Sequence, residues 1–132
     1  LKFISEDKSN LHVQISSPII ETDFESVIKE IVKRDIIYVA FQSFAQTNIH
    51  NLTITAVPIN LKNREKYYSN YKKTVTVERG QAKSILKKHL NSEDFSVLFE
   101  NYGTFWVPNK NFNKLKFKKL NEVFGELTGI NQ

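Results

Sequence analysis

Hydrophobic and polar residues alternate near the start of the chain. Leu11, Val13 and Ile15 are separated by His12 and Gln14, the two-residue period of a half-buried strand. Residues 2–4 can pair with it across the polar segment 5–10. Pro18 ends or frays the strand, because it has no N–H to give a ladder. The period then changes. Phe24, Val27, Ile28, Ile31 and Val32 recur at helical spacing behind Thr22-Asp23-Phe24-Glu25. That tetrapeptide fits a capping box, with Thr22 closing the first turn and Glu25 reaching back. Residues 36–41 are apolar all round, and as a short run they would suit a buried strand as well as a helix. No glycine, proline or turn cluster interrupts them, so the pattern predicts one long helix over about 23–47.

Beyond the polar break at 48–51, Leu52 to Val57 is β-rich and stops near Pro58. Residues 62–70 form a charged turn region. Thr74-Val75-Thr76-Val77 predicts a second strand, antiparallel to the first. Ala82, Ile85, Leu86 and Leu90 share one face of a helix over 81–90, opposite Lys83, Lys87 and Lys88. Ser92 can cap a short helix with Glu93 and Asp94 in its first turn. Residues 103–107 read as a short strand, and Leu120, Val123, Phe124 and Leu127 as a final amphipathic helix that frays at Gly129.

The implied order is β(β)αββααβα within a single α+β domain covering 1–132. The expected architecture is a curved, mostly antiparallel sheet of about three to five strands with one long helix packed on it. A split βαβ, a cystatin-like or an NTF2-like arrangement would each use these elements. An RNA-recognition module shares the inner βαββαβ order, but its stacking aromatics are missing from the strand at 73–77.

Composition narrows the chemistry. Ten Phe, five Tyr and one Trp are enough to build a core without staples. The absence of Cys excludes disulfides, thiolate nucleophiles and Cys-ligated zinc or iron–sulfur clusters. No apolar run approaches the roughly 18 residues that span a bilayer. The chain also lacks Met, even at position 1. That absence leads to the expectation that a segment precedes Leu1, and it tilts the expected location towards export or the cell envelope over the cytoplasm.

The net charge is +5, carried by 16 Lys and three Arg against 14 acidic residues. Residues 1–60 hold five basic and seven acidic groups, whereas residues 61–132 hold 14 basic and seven acidic. The basic character therefore belongs to the second half. With 13 Asn and 13 Ile as well, the usage resembles that of an AT-rich genome, so the lysine content is in part a codon effect and speaks less for nucleic acid than Arg would.

His12, His50 and His89 have no metal-ligand spacing among them. His89 could share a face with Glu93 only if one helix ran through Ser92, and a metal or general-base role would need ligands from elsewhere. Glu6-Asp7-Lys8 matches the E-x-K part of a nuclease metal site, without the aspartate that would complete it. Asn51-Leu52-Thr53 is a glycosylation sequon whose Thr53 falls in a strand. No catalytic site, metal or cofactor is expected.

The expected function is therefore a non-enzymatic binding or assembly module, the globular domain of an exported or membrane-anchored protein. Its expected protein-binding residues are Tyr67, Tyr68 and Tyr71, which cluster in a polar turn. A second reading is nucleic-acid binding by Lys110, Lys114, Lys116, Lys118 and Lys119, interleaved with Phe112 and Phe117. A third is a small-ligand pocket between helix and sheet lined by Tyr38, Phe41, Phe44 and Trp106. The sequence does not specify the partner or the oligomeric state.

Overall fold

The computed structural model describes residues 2–5 and 11–130, so the Glu6-Asp7-Lys8 motif lies outside the described residues. The described chain is mixed α and β. Its strands are β1 Lys2–Ser5, β2 Leu11–Ile15, β3 Pro18–Ile19, β4 Asn51–Ala56, β5 Ile59–Asn60, β6 Lys73–Glu78, β7 Phe99–Tyr102 and β8 Phe105–Pro108. Its helices are α1 Glu25–Gln46, α2 Arg79–Leu90, α3 Lys110–Asn113 and α4 Leu120–Thr128.

The main sheet has the order β1-β2-β4-β6. The β1–β2 and β4–β6 pairs are antiparallel. β2 and β4, joined by α1, run parallel in register from Leu11↔Leu52 to Ile15↔Ala56. They are direct neighbours. A split βαβ layout would hold another strand between them. Past Pro18 the two segments continue side by side as the small parallel pair β3–β5.

Residues 36–41 are helical because α1 is covered on more than one side. Ile36, Ile37, Val39, Ala40 and Phe41 are all buried. The sheet takes one face, while α4 and the helical turns around 95–98 and 114–118 pack elsewhere on the helix. A helix that is apolar all round survives only when enclosed in this way. The carbonyls at its C-terminus are closed from outside the helix. The Arg79 guanidinium donates to Phe44 O at 2.7 and 2.9 Å and to Thr47 O at 2.8 Å.

The expected capping box at the start of α1 does not form. Phe24 occupies the cap position with no side-chain cap bond. Asp23 is committed to the preceding turn: its N–H donates to Ile20 O at 3.1 Å and its Oδ2 accepts from Ile20 N at 3.0 Å. Phe24 and Val27 share the helical period of the buried residues, yet both are exposed.

The core is closed by an aromatic cluster. Phe95 lies 6.1 Å from Phe41 and 5.9 Å from Phe44, and Phe112 lies 5.4 Å from Phe99, as ring-centroid distances. Asn109 caps the segment that carries Phe112, its Oδ1 accepting from Asn111 N at 2.9 Å and Phe112 N at 3.3 Å. A π turn at Lys114–Lys118 then buries Leu115 and leads into α4.

Candidate functional site

β7 and β8 form a hairpin separate from the main sheet. The turn is the two-residue Gly103-Thr104, with Gly103 at φ +70° and Thr104 not at positive φ. A glycine in the first central position with that sign is the mark of a type II′ turn, whose twist matches the strands. The register pairs Tyr102 with Phe105, Asn101 with Trp106 and Glu100 with Val107.

Directly opposed residues share a face and successive ones alternate. Glu100, Tyr102, Phe105 and Val107 therefore lie on one face, and Phe99, Asn101 and Trp106 on the other. Tyr102 is 62 % exposed, Phe105 70 % and Val107 42 %. Trp106, on the opposite face, is still 51 % exposed. Both faces of the outer hairpin thus meet solvent. Its base is anchored by buried Phe99 and by Asn109 N–H donating to Leu98 O at 3.0 Å.

Trp106 overhangs a cleft of about 400 Å³ at the C-terminal end of α1, lined also by Ala45, Gln46, Ser96 and Phe99. On the outer face the Tyr102 hydroxyl donates to Glu100 Oε2 at 3.0 Å. That bond and the Glu100 charge raise the phenol pKa above its ordinary value. The result is an apolar patch with a polar pair at its rim.

The residues singled out from the sequence distribute unevenly. Of the three tyrosines, Tyr67 is exposed and bridges to Ile59. Tyr68 is half-buried, its hydroxyl accepting from Asn60 Nδ2 at 2.8 Å, and Tyr71 packs against the core. Among the five lysines, Lys110, Lys118 and Lys119 are exposed. Lys114 instead donates to His89 O at 3.1 Å, and Lys116 lies 4.7 Å from the Phe112 ring centroid. Burial first, then Arg34, lowers the Lys116 pKa, opposed by Asp35.

The ligand-pocket residues separate likewise. Phe41 and Phe44 are fully buried in the aromatic cluster, and Tyr38 stacks on Phe112 at 5.9 Å. Phe112 of α3 and Phe95 of the turn at 95–98 pack beside those rings. Of the four, Trp106 borders a cleft.

His89 finds its partner on α4. Its Nε2 lies 2.7 Å from Glu126 Oε1, and Glu93 plays no part in the bond. The ligand atoms of His89, Glu122 and Glu126 lie within 4.8 Å of one another, a spacing that could hold a metal ion. Lys88 already brings a cation there. Its Nζ sits 2.7 Å from Glu126 Oε2 and 3.2 Å from Glu122 Oε1. Burial raises the Glu126 pKa, but the bonds from Lys88 and His89 outweigh it and hold the carboxyl below its ordinary value. These four side chains fasten α2 to α4.

Asp35 is a second enclosed carboxylate. Burial raises its pKa, against the Ser17 hydroxyl that donates to Oδ2 at 2.6 Å and the charges of Arg34 and Lys116. On the sheet's outer face His12 Nε2 lies 2.8 Å from Thr55 Oγ1, itself 2.8 Å from Thr74 Oγ1. The side chains in each of these groups satisfy one another. Among the described residues no helix is long and apolar enough to cross a membrane. No family model, no curated protein and no solved structure matches this chain.

Proposed function

We propose that the chain is a non-enzymatic binding module that captures an extended apolar segment of a protein partner on the β7–β8 hairpin. The observation that carries this reading is the exposure of Phe105 and Trp106 on opposite faces of one strand. A strand whose large side chains are uncovered on both faces leaves apolar surface that burial against a partner would remove from water. Tyr, Phe and Trp are rigid anchors of the kind that dominate such interfaces. The Trp106 cleft would take one side chain of the partner, and the patch of Tyr102, Phe105 and Val107 would cover a neighbouring stretch. Glu100 on the hairpin favours a protein segment over an anionic bilayer surface, which it would repel.

This reading moves the docking residues from the Tyr67 turn to the hairpin and keeps Tyr67 as a separate exposed aromatic. The wider expectations stay with the proposal: a curved sheet of cystatin-like or NTF2-like type, in an exported or membrane-anchored protein. The test is selection from a random-peptide display library. Peptides bearing an aromatic or large aliphatic residue should be enriched, and Phe105→Ser and Trp106→Ala should each weaken them at least tenfold with an unchanged melting temperature. Peptides that bind both variants as tightly as the parent, or no enrichment at all, would remove the hairpin from consideration.

A further inference from the structure

Towards the N-terminal half of α1, some 20 Å along the helix axis from the Trp106 cleft at 1.5 Å per residue, a small recess gathers positive charge. It encloses about 170 Å³ and is lined by Lys29 and Lys33 of α1 with Asn70, Tyr71, Lys72 and Lys73 at the start of β6. Lys33 is only 8 % exposed, and its Nζ donates to the neutral Asn121 Oδ1 at 2.9 Å. Its ammonium lies 5.7 Å from the centroid of the Phe124 ring, and that of Lys73 lies 5.5 Å from the same centroid. Two like charges therefore share one aromatic ring. Burial, then Lys33 and Lys29, push the Lys73 pKa down.

Among the described residues Lys33, Lys72 and Lys73 form no ion pair, and Lys29 pairs with Glu25 at 3.0 Å on the exposed side of the helix. Gathering four lysines around a hollow whose lining holds no carboxylate is unfavourable in an empty site. It becomes favourable when a multivalent oxyanion fills the hollow, because each ammonium then gains charge-assisted hydrogen bonds.

The geometry points to a binding site for a phosphomonoester dianion in this recess, gripped by Lys33 and Lys73 with Lys29, Lys72 and Asn70 at the mouth. The size fits that choice. The hollow is below the roughly 300 Å³ at which sites for whole drug-sized ligands begin, yet it holds a tetrahedral oxyanion. The rest of the ester extends into solvent past Lys29 and Lys72, both exposed. A monoanionic carboxylate would leave one of the two inner ammonium groups unneutralised. The hydrogen bond from Lys33 Nζ to Asn121 Oδ1, beside the Phe124 ring, holds its charge in place before any ligand arrives.

Calorimetric titration of the protein with inorganic orthophosphate, at ionic strength held constant with chloride, tests the site. Binding with a dissociation constant of about 1 mM or tighter is expected, with glycerol 3-phosphate bound equally well. Lys33→Met and Lys73→Gln should each weaken binding at least tenfold, while the exposed-surface control Lys110→Gln should not. Lys73 stands at a strand end and is only half-buried, so its variant answers the question if Lys33→Met folds poorly. Flotation with phosphatidylcholine vesicles containing phosphatidic acid separates the sources. Vesicle recruitment that orthophosphate competes away supports a lipid headgroup as donor of the phosphate, and binding of the free esters alone supports a soluble one. Heats no larger than chloride dilution, or equal affinity in all three variants, would overturn the proposal. The hairpin variants leave this recess intact, so the two readings fail separately.

Discussion

Two lysine-rich regions of this molecule differ in one respect, the presence of carboxylates. Between α2 and α4, Lys88 and His89 meet Glu122 and Glu126 at 2.7 to 3.2 Å, and both carboxylates there have a partner. In the recess beside α1, Lys33 and Lys73 crowd one phenyl ring, and no carboxylate is among the residues that line the hollow. The first region explains itself as a fastening between helices. The second leaves a charge to be met from outside the described chain. Lysine content alone would have put both regions in one class, and the placement of glutamates separates them. Net positive charge is thus a poor guide to function until each cation has been matched with its partner.

The comparison can be broken most sharply at Glu126. Glu126→Ala leaves His89, whose side chain is only 6 % exposed, and Lys88 with no acceptor at the shared position. Lys88 keeps Glu122 at 3.2 Å, so a cost of about 1–3 kcal/mol is expected from the unsatisfied His89 ring, read as a lower denaturation midpoint with an unchanged slope. An unaltered midpoint would mean the helices are held by their apolar faces alone. The recess should respond with the opposite sign. Lys73→Gln relieves repulsion between like charges, so stability should rise by about 0.5 kcal/mol or less, and the gain should shrink as salt is added. A loss of stability in that variant would show that Lys73 already has a partner, and the contrast between the regions would collapse.

The sequence carries some of this and hides the rest for physical reasons. Helix α1 is legible because its apolar positions recur without a breaking residue through Phe44. What the period does not reveal is which apolar sides become covered. Phe41 and Phe44 suit a pocket wall or a sealed core equally well, and the choice is made by Phe95 and Phe112, distant in sequence. The hairpin was half legible. Residues 103–107 read as a strand, but Phe99–Tyr102 is too short for its alternation to register. Its real signal is Gly103-Thr104 set between aromatic residues, a turn that binds the two arms into one unit. The capping box was a false reading, since Asp23 serves the preceding turn. Neither lysine region could be found by spacing. His89 and Glu126 are 37 residues apart, and the recess joins residues near 30 to residues near 70. Only tertiary packing brings such groups together.

The smallest expected effect lies in pH, and it divides the two regions into separate windows. Glu126 is held below its ordinary value of 4.5, so its carboxylate contributes stability in full above that pH. The contribution drains away as pH falls from 4.5 through the folded-state value, because the unfolded chain takes up the proton first. Lys73 is held below its ordinary 10.5. Across the interval from its folded value up to 10.5 the unfolded chain again binds more protons, so stability lost to repulsion is regained as pH rises. Thermal melts of the parent and each variant, compared as differences, isolate the two. Glu126→Gln should flatten the acid limb and leave the alkaline limb alone, while Lys73→Gln should do the reverse. Orthophosphate in the recess should also cancel the Lys73 limb, since a bound dianion restores the favourable charged state of the amine. If both variants altered the same limb, the two regions would be electrostatically one, and the separation of fastening from ligand site would fail.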